Sequence, residues 1–538
     1  MARPWTVAAA LAAGLCLACL SDARAATRFE APPGGIVPVA VTLDQVLSQN
    51  EQASGAEPVA STERWSFSAY GMRGTESDEY RGDDYREATT LGPFSFQRGR
   101  SHGRAWRQNA NGLTQLLSSV RDRDAISAAA LRDARRSHAG VRLLGESVAR
   151  RAYVVAVSPA GGRRQWIFFD KATNLVTRVE FAFPDRRVTI VADDFRDSDG
   201  IVRAWHLHAT DSIGSENDVD WKLEAFDPKP DPATLELNVP ANDRVFDEFP
   251  DGASRVQIPA RFLDSHVIVR LSVGGRPLDF LLDSGTSDIV IDREVARSLG
   301  LTLHGRSKNV TAGAYVQSQV LVPEIRVGRL TLHDVAAYGL PFSYRPAPDV
   351  HVVGMLGYDF ISDAVIHVDY FHRHVEAIAY DAFRPERLRN ASQLNVTLDD
   401  GVPVAHASIG GAGGRFIVDT GSVETVVFSR FAREHPAEVA DAGGGAELRG
   451  ADPYFSAGGV GGKLKLVPTQ IRAFTFAGNV FRDFIVERVR DAPSFEVEDA
   501  DGLIGYQFLH YFDVFFDYRH SRLILVPNPL FNQASQGG

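Results

Sequence analysis

The stretch FLLDSGTSDIVI at residues 280–291 places Asp283 at the end of a run of large apolar residues. Small and hydroxyl-bearing residues follow the aspartate, and apolar β-forming residues then resume. Burying a carboxylate without a partner is costly in free energy, so the pattern requires a second group near Asp283. The sequence FIVDTGSVETVV at 416–427 repeats the pattern around Asp419 and supplies that partner.

A second pair of matching segments follows the first pair. GMLGYDFISDAVIHVDYFHR begins at Gly354, and GLIGYQFLHYFDVFFDYRHS begins at Gly502. Because the segments occur in the same order in both halves, we expect two copies of one unit, at residues 262–390 and 391–530. A glycine-rich stretch at 441–463 accounts for the greater length of the second copy.

An Asp-(Ser/Thr)-Gly-(Thr/Ser) turn after an apolar strand, followed downstream by two apolar residues and a glycine, resembles the motifs of aspartic peptidases. The nearest resemblance is to the retropepsin-like peptidases of bacteria, here with both halves in one chain. It implies a mainly β fold in which two homologous acid-protease β-barrel lobes share one cleft. It also implies a monomeric catalytic unit that cleaves a polypeptide substrate without a metal or a cofactor.

The resemblance implies a role for each residue of the two turns. Asp283 and Asp419 would share one proton and activate a water molecule, since like charges held close together resist double ionisation. The supporting positions are Ser284 and Thr420, whose hydroxyls cross-link the turns, Gly285 and Gly421, which permit close approach, and Thr286 and Ser422, whose hydroxyls donate to the carboxylates. Such donors favour ionised carboxylates, so we expect an acid-leaning pH optimum.

A peptidase of this fold also covers its cleft with a hairpin flap. The resemblance places that flap in NVTAGAYVQSQVLV at 309–322, with Tyr315 near its tip, and around Tyr454 in the second copy. We expect these two tyrosines to contact substrate; the alternative is a surface aromatic residue in a loop.

The first 25 residues combine Arg3, a short apolar run at 7–20 and an Ala-Arg-Ala sequence that ends at Ala25. This pattern predicts a signal peptide at 1–25, and a tether is expected at 26–41. Both cysteines, Cys16 and Cys19, lie in the leader. We therefore expect export, most simply to a bacterial periplasm, with lipid anchoring at Cys19 as the alternative.

Residues 42–240 are expected to form an N-terminal domain. Thr42 is placed to cap a helix, a second helix is predicted at 125–137, and alternating segments between residues 65 and 225 predict half-buried strands. RQWIFFDKATNLVTRVEF at 164–181 and VADDFRDSDGIVRAWHLHAT at 191–210 resemble the periplasmic lipoprotein-carrier half-barrels. That implies an α+β domain with a curved antiparallel sheet that binds a lipid or lipoprotein. A structural or protease-positioning module is the alternative. A linker is expected at 241–261 and a tail at 531–538.

The charge balance excludes one class of function. With 57 Lys and Arg against 68 Asp and Glu, the net charge of −11 gives no electrostatic support for nucleic-acid binding. Past the leader, no apolar run is long enough to predict a transmembrane segment. Histidine pairs at 206/208 and 372/374 lack a third ligand at suitable spacing, so no metal site is predicted.

Three functions fit these observations. The first is an exported aspartic endopeptidase that uses Asp283 and Asp419. The second is a non-enzymatic cell-envelope protein that binds lipid, lipoprotein or peptide and keeps a peptidase-like clamp. The third is a selective processing enzyme to which the N-terminal domain presents the client.

Overall fold

The computed structural model describes residue 29 and residues 31–117, 123–134, 136–183, 186–242, 249–311, 313–399, 401–441, 455–459, 462–489 and 500–531. The expected leader at 1–25, nearly all of the expected tail and Tyr454 lie outside these residues. The chain is mainly β, as the sequence predicts, and its strands form four sheets in the described ranges.

The N-terminal region forms one antiparallel sheet of fourteen strands, in the order β1-β8-β9-β10-β11-β12-β13-β14-β2-β3-β4-β5-β6-β7. Two helices, α1 (Leu43–Ser54) and α2 (Arg123–Arg132), accompany it. The strands are β1 (Ile36–Val37), β2 (Ala60–Ala69), β3 (Met72–Arg81), β4 (Asp84–Leu91), β5 (Phe94–Ser101), β6 (Arg104–Gln108), β7 (Thr114–Leu116), β8 (Val141–Ser147), β9 (Ala152–Val157), β10 (Gln165–Asp170), β11 (Val176–Ala182), β12 (Arg187–Ser198), β13 (Ile201–Asp211) and β14 (Val219–Asp227).

Local sequence explains how this region begins. The Thr42 hydroxyl accepts from the N–H of Gln45, whose side chain in turn accepts from the N–H of Thr42, so a capping box starts α1. Leu43, Val46 and Leu47 then pack into the core of the sheet.

Two predicted boundaries are wrong: α2 ends at Arg132 rather than 137, and the expected tether contains β1. That strand pairs with β8, because even a two-residue segment can cover a sheet edge.

The next part of the chain contains α3 (Arg293–Ser298), α4 (Tyr358–Ile361) and twelve strands. These are β15 (Arg255–Gln257), β16 (Ala260–Leu263), β17 (His266–Val273), β18 (Arg276–Leu282), β19 (Ile289–Asp292), β20 (Leu303–Val310), β21 (Ala314–Val327), β22 (Leu330–Leu340), β23 (Tyr344–Ala347), β24 (Val350–Leu356), β25 (Val365–Asp369) and β26 (His374–Ile378).

The last part contains α5 (Ser429–Glu434), α6 (Tyr506–Leu509) and the remaining described strands. These are β27 (Ser392–Asn395), β28 (Thr397–Asp399), β29 (Val402–Ile409), β30 (Ala412–Val418), β31 (Val426–Val427), β32 (Ala440–Asp441), β33 (Phe455–Gly459), β34 (Gly462–Phe476), β35 (Asn479–Val489), β36 (Gly502–Ile504), β37 (Phe512–Asp517) and β38 (Arg522–Pro527).

These two parts form two nine-stranded sheets, called lobe 1 (β16–β24) and lobe 2 (β28–β36), in which eight strands follow the same order. The ninth strand differs, because β23 pairs with β24 in lobe 1 and β33 pairs with β34 in lobe 2. The order in lobe 1 is β16-β17-β18-β24-β19-β22-β21-β20, and in lobe 2 it is β28-β29-β30-β36-β31-β35-β34-β32. In each lobe the strand before the aspartate runs parallel to the strand that carries the apolar-apolar-Gly motif, β18 with β24 and β30 with β36. Equivalent residues therefore occupy equivalent places in the two lobes.

A third sheet joins the lobes. Its six strands follow the order β15-β26-β25-β37-β38-β27, and β25 from the first part pairs with β37 from the second. The range expected to be a linker, 241–261, contributes β15 to this sheet and the first two residues of β16 to lobe 1, so its end is not a linker. Its hydrogen-bonded segments are too short to produce a recognisable strand pattern in the sequence.

The N-terminal sheet contacts lobe 1 directly. Leu113, in the turn between β6 and β7, is completely buried in the apolar cluster that contains the cores of both lobes. The side-chain amide of Asn217 donates to the Lys308 carbonyl at 2.9 Å and accepts from the Lys308 N–H at 2.8 Å. These two hydrogen bonds connect the N-terminal region to β20 of lobe 1. Among the described helices, none has the length and apolar character needed to span a bilayer.

Candidate active site

Two equivalent turns face each other between the lobes. The turn of lobe 1 follows β18, where the N–H of Asp283 donates to the carbonyl of Leu356 at 3.0 Å. In lobe 2 the N–H of Asp419 donates to the carbonyl of Ile504 at 2.9 Å. The apolar-apolar-Gly strands therefore lie beside both aspartates and hold the start of each turn.

The two turns are cross-linked by their hydroxyl residues. The Ser284 N–H donates to the Thr420 hydroxyl and the Thr420 N–H donates to the Ser284 hydroxyl, both at 3.0 Å. Each hydroxyl then donates across to the opposite strand, Ser284 to the Val418 carbonyl and Thr420 to the Leu282 carbonyl, both at 2.7 Å. Both side chains are buried. The four bonds fix the two aspartate loops relative to each other.

The glycines of the two turns are required by this close approach. A Cβ atom at Gly285 would lie 2.5 Å from Cγ of Asp419, and one at Gly421 would lie 2.5 Å from Cγ of Asp283. The Gly285 N–H donates to Asp283 Oδ1 at 2.9 Å, and the Gly421 N–H donates to Asp419 Oδ1 at 2.8 Å. Each glycine thus admits the partner carboxyl and binds the carboxyl of its own turn.

The two carboxyl groups contact each other and are only partly exposed. Burial raises the pKa of Asp283 well above its usual range, and the charge of Asp419 raises it further. Burial also raises the pKa of Asp419, against the effect of the Gly421 N–H and of a hydrogen bond with Asp283. That hydrogen bond raises the pKa of Asp283 and lowers the pKa of Asp419. The pair can therefore hold one shared proton at a pH where isolated carboxyls are ionised.

The expected role of the Ser422 hydroxyl is wrong. Ser422 Oγ donates to the Glu424 carbonyl at 2.9 Å, because the tight turn brings that carbonyl within reach of the short side chain. The Asp419 carboxyl instead accepts a hydrogen bond from the backbone N–H of Ser422. At the equivalent position of lobe 1, the Thr286 carbonyl accepts from the Tyr358 N–H at 3.0 Å, which binds the turn to α4. The Ser422 hydroxyl therefore does not favour the ionised form of Asp419, and it gives no reason to expect an acid-leaning optimum.

The structure describes one of the two predicted flap residues, Tyr315. Tyr315 lies in β21, opposite Asn309 of β20, next to the Val310–Ala314 pair at the end of the β20–β21 ladder. It is 8% exposed and packs in an apolar cluster with Met355, so it is not a surface aromatic. Tyr454 lies outside the described residues, and Phe455 next to it begins β33.

Two groups near the turns lie outside the Asp-hydroxyl-Gly motifs. His266 at the start of β17 is close enough to Asp419 for its charge to lower the pKa of that carboxyl. Asp359 in α4 is completely buried behind the lobe 1 turn. The sequence contains a signal for Asp359, because the matching segments read Gly-Tyr-Asp-Phe in lobe 1 and Gly-Tyr-Gln-Phe in lobe 2. No group of three His, Cys, Asp or Glu side chains in the described ranges is arranged to hold a metal ion.

Comparisons with known proteins agree with this geometry in one part of the chain. Residues 269–360 match the family model described as aspartyl protease, so the chain contains an aspartyl-protease-like segment that includes the Asp283 turn. Among solved structures, the aspartic proteinase from Irpex lacteus is similar at 14% identity and a TM-score of 0.34, over 52% of this chain and 99% of that one. A search of curated proteins finds no match.

Proposed function

We propose that the protein is an aspartic endopeptidase that hydrolyses peptide bonds with a water molecule held between Asp283 and Asp419. The observation that carries the proposal is the pair of facing carboxyls, held by reciprocal hydrogen bonds between Ser284 and Thr420. A purely structural role would not require two carboxyls to face each other in a partly buried site, since that contact costs free energy. The leader supports the further proposal that the enzyme is exported.

The proposed reaction needs one proton on the pair. The ionised carboxyl takes a proton from the water as its oxygen attacks the carbonyl carbon, while the protonated carboxyl donates to the carbonyl oxygen. The tetrahedral intermediate then collapses: the C–N bond breaks, the leaving nitrogen receives a proton from the pair, and one hydroxyl of the intermediate returns its proton to the pair as the new carboxyl group forms. The Gly285 and Gly421 N–H groups bind the carboxyls and keep them oriented throughout.

A small cavity bears on the role of the N-terminal sheet. It lies between the end of α1 and strands β12 and β13, has a volume of about 100 Å³, and is lined by Val176, Phe195 and Leu207 among others. Ligand pockets typically measure about 300–1,000 Å³, so this cavity gives no specific support for lipid binding. We propose instead that the N-terminal sheet positions part of the peptidase.

A cleavage assay tests the proposed function. An unstructured protein is incubated with the wild type, Asp283→Asn and Asp419→Asn between about pH 3 and about pH 8, and each variant is expected to lose activity by about 10²–10⁴-fold. Asp349→Asn, an exposed aspartate of lobe 1 paired with Arg261, is the matched control and should keep full activity. Equal cleavage by the wild type and both dyad variants would exclude the mechanism.

A further inference from the structure

The two lobes fasten the far end of their aspartate turns differently. In lobe 2, the Gln507 side chain of α6 accepts from the Thr425 N–H at 3.2 Å and donates to the Ile485 carbonyl at 2.6 Å. Thr425 is the first residue after the Asp419 turn, and Ile485 lies on β35, the strand next to β31. One amide side chain therefore ties the end of the turn to the neighbouring strand.

Lobe 1 has a carboxylate at the matching position. Asp359 of α4 accepts from the N–H of Ile289, which is the lobe 1 equivalent of Thr425. The β-ladder registers Val290↔Tyr338 and Val426↔Glu487 make Ala336 the equivalent of Ile485. Both carboxyl oxygens of Asp359 accept from asparagine amides, so Asp359 does not donate to the Ala336 carbonyl and supplies only half of the connection made in lobe 2.

The missing donor comes from the N-terminal sheet. Nδ2 of Asn111, in the turn between β6 and β7, donates to Asp359 Oδ2 at 2.7 Å and to the Ala336 carbonyl at 2.9 Å. Its Oδ1 accepts from the Ala336 N–H at 2.8 Å. Asn109 Nδ2 donates to the other oxygen of Asp359 at 2.6 Å. The turn therefore completes the connection between α4 and β22 that lobe 2 makes by itself.

The β6–β7 turn is built for this position. The Gly112 N–H donates to the Asn109 carbonyl at 3.0 Å, and Gly112 has a φ of +76°, which favours glycine. Asn109 Oδ1 accepts from the N–H groups of Asn111 and Leu113, both at 3.0 Å, and so orders the loop. Leu113 anchors the turn in the core of the lobes.

Burial and charge make the two asparagines necessary. Asp359 is completely buried, whereas Gln507 is half-buried. Burial raises the pKa of Asp359 well above its usual range, and Asp288 raises it further, while the hydrogen bonds from Asn109 and Asn111 oppose that rise. Without the turn, a buried carboxyl next to the catalytic loop would lose two of its donors.

We propose that the β6–β7 turn of the N-terminal sheet is an intramolecular brace for the Asp283 loop, and that Asn111 is its principal positioning residue. The brace reaches the loop through Asp359, which binds the end of the turn at Ile289, and through α4, whose first N–H binds Thr286. The expected consequence is that Asp283 and Asp419 are held in register only when the N-terminal sheet is docked. This consequence rests on the proposed peptidase function.

The test uses the full chain and a swap taken from lobe 2. Asn111→Ala is expected to lower kcat about tenfold with little change in KM, because the loop loses its register while the substrate cleft stays intact. Adding Asp359→Gln to Asn111→Ala gives lobe 1 the amide of lobe 2 and is expected to restore kcat to within about threefold of the wild type. Asn50→Ala removes a buried side-chain amide of α1 whose bond to the Asn174 carbonyl stays within the N-terminal region and away from the β6–β7 turn, and it is the matched control.

Amide hydrogen exchange makes the test independent of activity. Asn111→Ala is expected to speed exchange at residues 283–292 by about tenfold and to leave 419–428 unchanged, and the double variant should reverse the effect. Unchanged exchange at 283–292, or no rescue by Asp359→Gln, would overturn the brace. If exchange behaves as expected while the wild type cleaves nothing, the peptidase proposal fails and the brace stands. If neither variant yields folded protein, the brace is also overturned, because the swap should make lobe 1 self-sufficient.

Discussion

Lobe 1 and lobe 2 share one strand order and one aspartate turn, yet they complete that turn by different means. Lobe 2 uses Gln507 from its own helix, and lobe 1 uses Asp359 together with the Asn111 amide from a separate sheet. The difference of one side-chain group, an amide against a carboxylate, determines which lobe can close its own hydrogen bonds. A duplicated unit can thus keep its symmetry at the reacting groups while one copy depends on another part of the chain.

The largest effects should be symmetric, because they arise at the dyad. Gly285→Ala and Gly421→Ala each place a Cβ 2.5 Å from the opposite carboxyl carbon, so one loop must move away. Displacing catalytic groups by about 1 Å is expected to lower kcat by about 100-fold in both variants. Cleavage kinetics measure this, with Gly413→Ala in β30, where a Cβ meets no neighbour and φ is not positive, as a control for glycine loss away from the site. A normal rate in either dyad variant would contradict the close approach.

Loss of the Ser284–Thr420 cross-link should have the same effect from either lobe, and that effect is a lower free energy of unfolding. Ser284→Ala and Thr420→Val each remove two buried hydrogen bonds and leave a buried N–H unsatisfied, so each is expected to lower the free energy of unfolding by about 2–4 kcal/mol. Chemical denaturation measures both losses. The double variant should lose less than the sum, since both changes break the same network. Strict additivity would show that the hydroxyls act separately.

A smaller effect should appear in lobe 2 alone. Gln507→Glu keeps an acceptor for the Thr425 N–H but removes the donor to the Ile485 carbonyl, and no turn equivalent to β6–β7 contacts this position in the described residues. The change is expected to lower the free energy of unfolding by about 1–3 kcal/mol. Gln393→Glu, on exposed β27, is the control and should have little effect. Equal stability of Gln507→Glu and wild type would remove the contrast between the lobes.

The smallest effect concerns pH. The pKa of Asp283 is raised in the folded protein, so ionisation is opposed there more than in the unfolded chain. Stability is therefore lost as pH rises above the unfolded pKa of about 4, and Asp283→Asn should avoid that loss. We expect the melting temperature of Asp283→Asn to exceed that of the wild type by a few degrees at neutral pH, with no gain at about pH 3. A gain of the same size at both pH values would point to another cause.

Much of the dyad could be predicted from the sequence because it lies within short, repeated segments. The two Asp-hydroxyl-Gly turns, the strands before them and the apolar-apolar-Gly strands are each local patterns, and their repetition predicts that they meet. The Ser422 hydroxyl shows the limit of this reasoning. Its choice between a carboxylate and the Glu424 carbonyl depends on the path of the turn, which no residue pattern specifies.

The sequence by itself determined the mainly β fold, the two matching units and the residues that face each other at Asp283 and Asp419, since these follow from periodicity and repetition along the chain. Only the tertiary structure decided that Asn109 and Asn111 lie against Asp359, about 250 residues away. The sequence does show the exchange of Gln507 for Asp359 between the copies. The physical reason that it cannot name the compensating amide is that hydrogen-bond partners brought together by folding need share no pattern in the chain.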